Sequence, residues 1–513
     1  METKKRQFIL NLFSSYGSSL ITAVLSFISV PIALNYWGRE IYGIWTILTS
    51  FSTYIMASGL GIDTSTGILM TKNSKLEIKI SILKKGIRLL VLCSVIMGML
   101  LILITCLFPD WMKIIGKMDE SNYPIAKISG LLFIAGIIIN LPLSAVANSF
   151  QAFGRAYMNT LLGMIQVIMN FAIIIITALC KLSLPFYILL TIINTFCCNL
   201  IKLLYLIFLI QKLLRNPNQE KSIINNSDSE IDNKYSTILK TGINMSLYGL
   251  AIMLVPNFSN LIISNNVDVS SLVPYSMAYK LYITVIFFAT NTNVALAPLM
   301  GQEYGHGNWE WLQKNYKRMF YTSISFSIFL IFGVIWFSKP FIYLWTGSIN
   351  NYPGKAIIIL LGIYFFVYVM NNLNLVVINS FNYTNKVWLI SWAEGCVFLV
   401  SSLLLVKKIG VVGTPIGLCM GIIFISSWLY PLWVYKKTEK RFIYDFIFLS
   451  KYLAIFIFGI IVYIIFNSFN LSLLLQLLVD FIGFCICVLL LLIFLPQEIK
   501  QPLLSKLKKK EIK

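Results

Sequence analysis

Charge is scarce in this sequence. Of 513 residues only 12% are charged, 58% are apolar, and the mean hydropathy is +0.81. No soluble globular class has that balance. Acids are scarcer still, 20 Asp and Glu against 41 Lys and Arg, and there is one histidine, His306, in the loop text EYGHGNWE, where it reads as solvated. No G-x-x-x-x-G-K-[ST] phosphate loop occurs. The nearest text, GSINNYPGKA, has the wrong spacing, which argues against ATP hydrolysis within the chain. The nine cysteines, as in FCCN and FCICV, sit in apolar runs without zinc spacing or a paired framework, so they read as small apolar packing residues. No segment on the outer side exceeds about twenty residues, too little for an extracytoplasmic domain that could house glycosyltransfer.

What is abundant is apolar run after apolar run, each long enough to cross roughly 30 Å of hydrocarbon. The sequence predicts an all-α polytopic membrane protein with fourteen spans, at 8–36, 41–63, 88–108, 124–150, 158–180, 184–211, 241–264, 272–299, 319–338, 355–381, 387–406, 411–435, 446–466 and 471–495. METKKRQFIL puts a basic flank before the first run. The run from Phe8 to Leu34 is too long for a signal-peptide core, so it counts as span 1. With a cytoplasmic N-terminus, inner segments carry thirty of the Lys and Arg residues and outer segments nine, including Arg39 at the outer mouth. That bias places both termini in the cytoplasm and explains the positive net charge without nucleic acid.

An internal repeat divides the chain. Asn122-Tyr123-Pro124 answers Asn351-Tyr352-Pro353, and Asn148-Ser149-Phe150 answers Asn379-Ser380-Phe381. Asn140 answers Asn371, Arg155 answers Lys386, and Lys84-Lys85 answers Lys317-Arg318, all at nearly one offset. Six spans per repeat is an even number. The halves therefore enter the membrane in the same direction, as two parallel six-helix bundles related by a pseudo-two-fold along the membrane normal. The organisation is a first bundle at 1–211, a polar cytoplasmic linker at 212–240, a second bundle at 241–435, an extra helix pair at 436–495, and a basic tail at 496–513.

Polar residues concentrate in the first two spans of each half. Span 1 carries Asn11, Ser15, Ser18, Thr22, Ser26 and Ser29 in steps of three and four, a stripe along one helical face. Span 2 adds Thr46, Thr49, Ser50 and Thr53; span 7 adds Asn244, Ser246, Asn257 and Asn260; span 8 sets Ser276, Lys280, Thr284 and Asn291 on one face. Helix packing alone does not predict that symmetry, whereas a polar chamber between two bundles does. Lys280 lies eight residues into the predicted span, roughly 12 Å along it. It meets an anionic substrate, forms a structural ion pair with Glu394 or Asp480, or snorkels partway to the membrane surface. Glu394, inside KVWLISWAEGCVFLV, either carries a coupling H+ or Na+ or pairs structurally. Asp63 reads as a cytoplasmic mouth residue, Asp480 as a packing residue, and Lys202 as snorkelling to the cytoplasmic face.

The run SLITAVLSFISVPIALNYWGREIYGIWTILTSFSTYIMASGLGI and the text VPYSMAYKL resemble Wzx-type polysaccharide flippases of the multidrug/oligosaccharidyl-lipid/polysaccharide exporter superfamily. The resemblance covers the whole chain. It implies alternating-access translocation of an undecaprenyl-diphosphate-linked oligosaccharide, such as an O-antigen repeat unit, across the bacterial cytoplasmic membrane. It also implies a central cavity lined by the first two helices of each half, with cationic residues meeting the lipid carrier; Lys280 matches that pattern. The substrate-contact residues expected on this basis are Lys280, Ser18, Thr22, Thr49, Thr53, Asn257, Thr284 and Asn291, with Arg39 and Asp63 at the mouths. The expected unit is a monomer without cofactor or metal, surrounded by membrane lipid. A polysaccharide polymerase and a chain-length regulator are the expected protein partners. The alternatives are a multidrug or organic-cation exporter of the same superfamily, which would want carboxylates in its cavity, and a polysaccharide polymerase or ligase.

Overall fold

The computed structural model describes residues 2–57, 59–73, 75–215, 234–381, 387–442, 444–468 and 473–496. Most of the linker, 216–233, and the tail from 497 lie outside the described residues. Among the described residues there are helices and no strands. Among the described residues eleven helical segments are long and apolar enough to span a membrane, so the protein is a multi-pass membrane protein.

Fourteen spans is an expectation from the sequence, and eleven is what helix length and apolarity give. Two of the eleven segments, Gly17–Ser52 and Val387–Lys437, each cover two of the predicted spans. In the first, Glu2–Ala57 is two helices meeting at a kink at Gly38, between the predicted spans 8–36 and 41–63, where φ of 76° and ψ of 176° suit glycine alone. In the second, Gly410 turns with φ 64°. The Tyr235–Asn266 helix coincides with predicted span 7; the side chains at 245, 248 and 251–256 lie outside the described residues.

The chain forms two compact units, Met1–Ser270 and Ser271–Lys513. The sequence groups span 7 with the second bundle. By contacts, the Tyr235–Asn266 helix belongs to the first unit, against Glu2–Ala57 and Ile62–Lys72. Asn260 Nδ2 donates to Ser50 Oγ at 2.8 Å, and Ser65 Oγ donates to the Ile238 carbonyl at 2.9 Å. The segment after Leu76–Leu107 is strapped to the same helix: Lys117 N–H donates to Ser264 O at 2.9 Å, and Val269 N–H donates to Lys117 O at 3.1 Å. Towards the other end, Ile62, Met70, Leu90, Val146, Phe150 and Leu206 form a core. By contrast Met99 and Ile102 of Leu76–Leu107 are each 65% exposed, which is the expected state of a lipid-facing surface.

In the second unit the Trp309–Thr346 helix is central. Trp336, Phe332 and Phe320 are buried on it against Lys355–Ser380 and the terminal helices Phe446–Phe466 and Leu473–Ile493. The repeat is visible locally, because a 3-10 turn (Glu120–Asn122, Ile349–Asn351) precedes each of Tyr123–Asn140 and Lys355–Ser380. The copies then diverge. Pro142 lacks the N–H needed to continue the helix, and the first copy passes into a 3-10 turn at Leu141–Leu143; the second, without proline there, runs unbroken to Ser380.

Candidate functional site

The Val269–Gly305 helix has two distinct sides. Tyr275, Ala278, Tyr282, Ile286 and Ala289 are buried. Tyr279 sits 5.3 Å from the Phe365 ring, and Tyr282 stacks on Phe365 at 5.4 Å and donates to the Ile358 carbonyl at 2.8 Å. These contacts dock the helix on Lys355–Ser380. Ser276, Lys280 and Thr284 follow one another at four-residue spacing, turned about 100° from the tyrosines, and all three are half-buried. The hydroxyls of Ser276 and Thr284 donate to the carbonyls of Val273 and Lys280, at 3.0 and 2.7 Å. The helix starts at Val269, earlier than predicted. Lys280 is therefore eleven residues in, roughly 16 Å along the axis.

The two carboxylates weighed as counterions have other partners. Glu394 accepts a hydrogen bond from Ser426 Oγ. Ser426 ends a π-helical turn, Ile422–Ser426, inserted between Gly413–Gly421 and Ser427–Lys437. Such turns carry an extra residue and recur at functional positions. Tyr279, Tyr364 and Tyr368 lie close enough to Glu394 to couple with it electrostatically. Asp480, 5% exposed, accepts from Asn467 Nδ2 at 3.2 Å and Gln476 Nε2 at 3.1 Å.

In the first unit Ser18, Thr49 and Asn257 are half-buried and Thr22 is exposed. Ser26, Ser29 and Thr49 turn their hydroxyls to carbonyls of their own helix. The Thr53 and Asn291 side chains lie outside the described residues. Asp63 does not close a span as the sequence suggests; it opens the Ile62–Lys72 helix and accepts from Asn148 Nδ2 at 3.1 Å. Arg39 follows the Gly38 break, half-buried, and its Nε has no hydrogen-bond partner among the described residues. Its neighbour Glu40 holds the segment before Tyr123–Asn140, accepting from Asp119 N–H at 2.6 Å and Asn122 Nδ2 at 2.9 Å. Lys202, expected to snorkel, is 6% exposed and therefore buried. Among the described residues no cluster of three or more His, Cys, Asp or Glu side chains could hold a metal ion.

The sequence reading passed over one polar group. Gln166, Asn170, Asn194, Thr195 and Asn199 converge inside the first unit. Asn194 Nδ2 donates to Asn170 Oδ1 at 2.8 Å, Gln166 Nε2 to Thr195 Oγ1 at 3.1 Å, and Asn199 Nδ2 to Asn140 Oδ1 at 3.1 Å. The signal was available, since amides are costly within apolar spans unless they are paired. Their convergence was not, because they come from separate helices.

Comparison with known proteins agrees with this architecture. Residues 245–406 match the MatE family model. A Salmonella typhi protein named "Putative O-antigen transporter" is 21% identical over 448 residues, 83% of this chain and 96% of that protein. The lipid II flippase MurJ in an inward closed conformation superposes with a TM-score of 0.67 at 14% identity, over 93% of this chain and 98% of that one. An inward-facing multidrug resistance MATE family transporter of the MOP superfamily gives 0.66 at 15% identity, over 82% and 95%. These relatives are transporters and flippases, not enzymes. Residues 245–406 thus match the MatE family model, and the chain shares its fold with the MurJ and MATE structures.

Proposed function

We propose that this protein is a flippase that moves an undecaprenyl-diphosphate-linked oligosaccharide from the cytoplasmic to the outer leaflet by alternating access. The observation that carries the reading is Lys280, a half-buried lysine eleven residues into the Val269–Gly305 helix, on the face it shares with Ser276 and Thr284. A diphosphate entering the membrane must shed water, and a cation already positioned there offsets part of that cost. Ser18, Thr22, Thr49, Thr53, Asn257, Thr284 and Asn291 would supply weak contacts to the rest of the substrate, with Arg39 and Asp63 at the two mouths. Glu394 would carry a coupling proton or Na+, and Glu394→Gln should then uncouple transport from an imposed gradient. Relatives named for O-antigen and lipid II support the substrate class. The location would be the bacterial cytoplasmic membrane with both termini inside, and the partners a polysaccharide polymerase and a chain-length regulator.

The test is translocation of lipid-linked oligosaccharide in vesicles. Hydrogen bonds to charged groups contribute about 1.5–3 kcal/mol, so Lys280→Ala should slow translocation by about 10- to 150-fold at normal membrane insertion. Lys280→Arg should keep part of the activity, because the charge acts here as a point source. If Lys280→Ala misfolds and Glu394→Gln or Asp480→Asn rescues it, Lys280 is half of an ion pair and the substrate-contact role fails. The MATE neighbours favour a second reading, export of organic cations. In that case Lys280→Ala would leave transport unchanged or improve it, since a cavity cation repels such substrates.

A further inference from the structure

We propose that the amide-lined cavity of the first unit is a binding site for an uncharged saccharide ring. The cavity, about 290 Å3, lies among Tyr123–Asn140, Ala156–Leu179 and Leu184–Arg215. Its polar wall is Asn140, Ser144, Gln166, Thr191, Thr195 and Asn199, facing apolar surface from Phe133 and Ile192. No charged side chain lines it. That excludes the chemistry an organic cation or a phosphate would require, since neither finds an opposite charge there.

The donor and acceptor pattern narrows the ligand further. The Ser144, Thr191 and Thr195 hydroxyls donate to the carbonyls of Leu141, Ile188 and Thr191, at 2.8 Å each. Gln166 Oε1 and Asn199 Oδ1 take no hydrogen bond among the described residues, although Gln166 Nε2 and Asn199 Nδ2 are engaged. What faces the cavity is therefore a set of neutral acceptors, each amide retaining a second N–H. A ring bearing several hydroxyls complements that set, and its C–H face suits the Phe133 side. The volume sits just below the roughly 300–1,000 Å3 range of small-molecule sites, so one ring fits and a drug-sized molecule does not. As to what delivers the sugar, the inference rests on the flippase reading; the cavity chemistry itself does not.

The test uses the full-length protein in lipid nanodiscs with Thr191→Cys, labelled by a thiol reagent, with the Thr191 parent reporting the native cysteines. Octyl glucoside, octyltrimethylammonium and octyl phosphate, at equal concentration below micelle formation, are the probes. The expected result is that only the glucoside slows labelling of the introduced thiol, by at least fivefold, and that adding Gln166→Leu with Asn199→Leu abolishes the protection. Equal protection by all three probes, none by the glucoside, or full protection in the substituted cavity would overturn the proposal. The vesicle assay separates this from the flippase reading. Glucoside protection without translocation of lipid-linked oligosaccharide by the unmodified protein sinks that reading and leaves the sugar site standing. Translocation without protection does the reverse.

Discussion

The terminal helix pair is held on the second unit through glycine notches, and Gly483→Leu is the sharpest test of that docking. A Cβ at Gly483 would lie 2.2, 2.5 and 2.8 Å from three atoms of the Trp336 ring, and ordinary contact begins near 3.4 Å. Even alanine therefore demands a retreat of about 1.2 Å. Trp336 cannot swing aside: it is 1% exposed and held edge-on by Tyr463 at 5.2 Å and by Phe466 at 6.1 Å. The neighbouring notch at Gly459 is as tight, with Phe332 at 2.4 Å. Overpacking costs about 1–3 kcal/mol, and alanine recovers about 1 kcal/mol of helix propensity. Gly483→Ala should therefore be mild and Gly483→Leu should cost about 3 kcal/mol. Trp336→Ala alone should cost about 3–5 kcal/mol by leaving a cavity. In the double substitution the leucine enters that cavity, so the combined loss should fall short of the sum by about 1–3 kcal/mol. Heating the variants in one detergent and following the loss of monodisperse protein reads these differences. Strictly additive losses would mean that Gly483 and Trp336 do not share a contact, and the notch account would fail.

Two further outcomes are expected from the same heating assay. Gly38→Ala meets nothing within 4 Å, so only its backbone strain is read, about 1–3 kcal/mol of destabilisation; Gly17→Ala, equally open but without the positive φ, should be neutral or stabilising. Asp445 caps Phe446–Phe466 through Phe448 N–H at 3.0 Å, and its carboxyl is held below the usual range by the Tyr321 hydroxyl first and that backbone N–H second. A depressed carboxyl adds stability above its unfolded value, near pH 4, that is lost as pH falls through the folded one. Thermal midpoints should accordingly fall below about pH 4 in the parent and fall less in Asp445→Asn; parallel profiles would remove Asp445 from the acid limb.

Hydropathy made most of the helices legible, because crossing hydrocarbon leaves a chain little choice but long apolar helices. It did not reveal how they join. NYWGRE reads as a loop, yet one glycine at an unusual φ lets hydrogen-bonded helix resume on both sides. The four-residue spacing of Ser276, Lys280 and Thr284 was legible in the sequence, and all three lie half-buried on one helix. The amide cavity was not legible. Gln166 and Asn199 are separated by a turn and most of two helices, and only their packing makes them neighbours. Lys202 misled for a related reason, since snorkelling assumes a lipid-facing position and this residue faces protein.

The π turn at Ile422–Ser426 reads, in evolutionary terms, as the scar of a single inserted codon. Deleting one residue there would restore a regular helix and rotate everything after it by about 100°. Tyr430, whose hydroxyl meets Ser391 Oγ at 2.6 Å, would swing off its partner, and Ser426 would leave Glu394. Homologues that lack the insertion should therefore also lack a reason to keep an acid at the position of Glu394. Gain of that acid and gain of the extra residue should travel together through the lineage, two changes retained as one heritable unit.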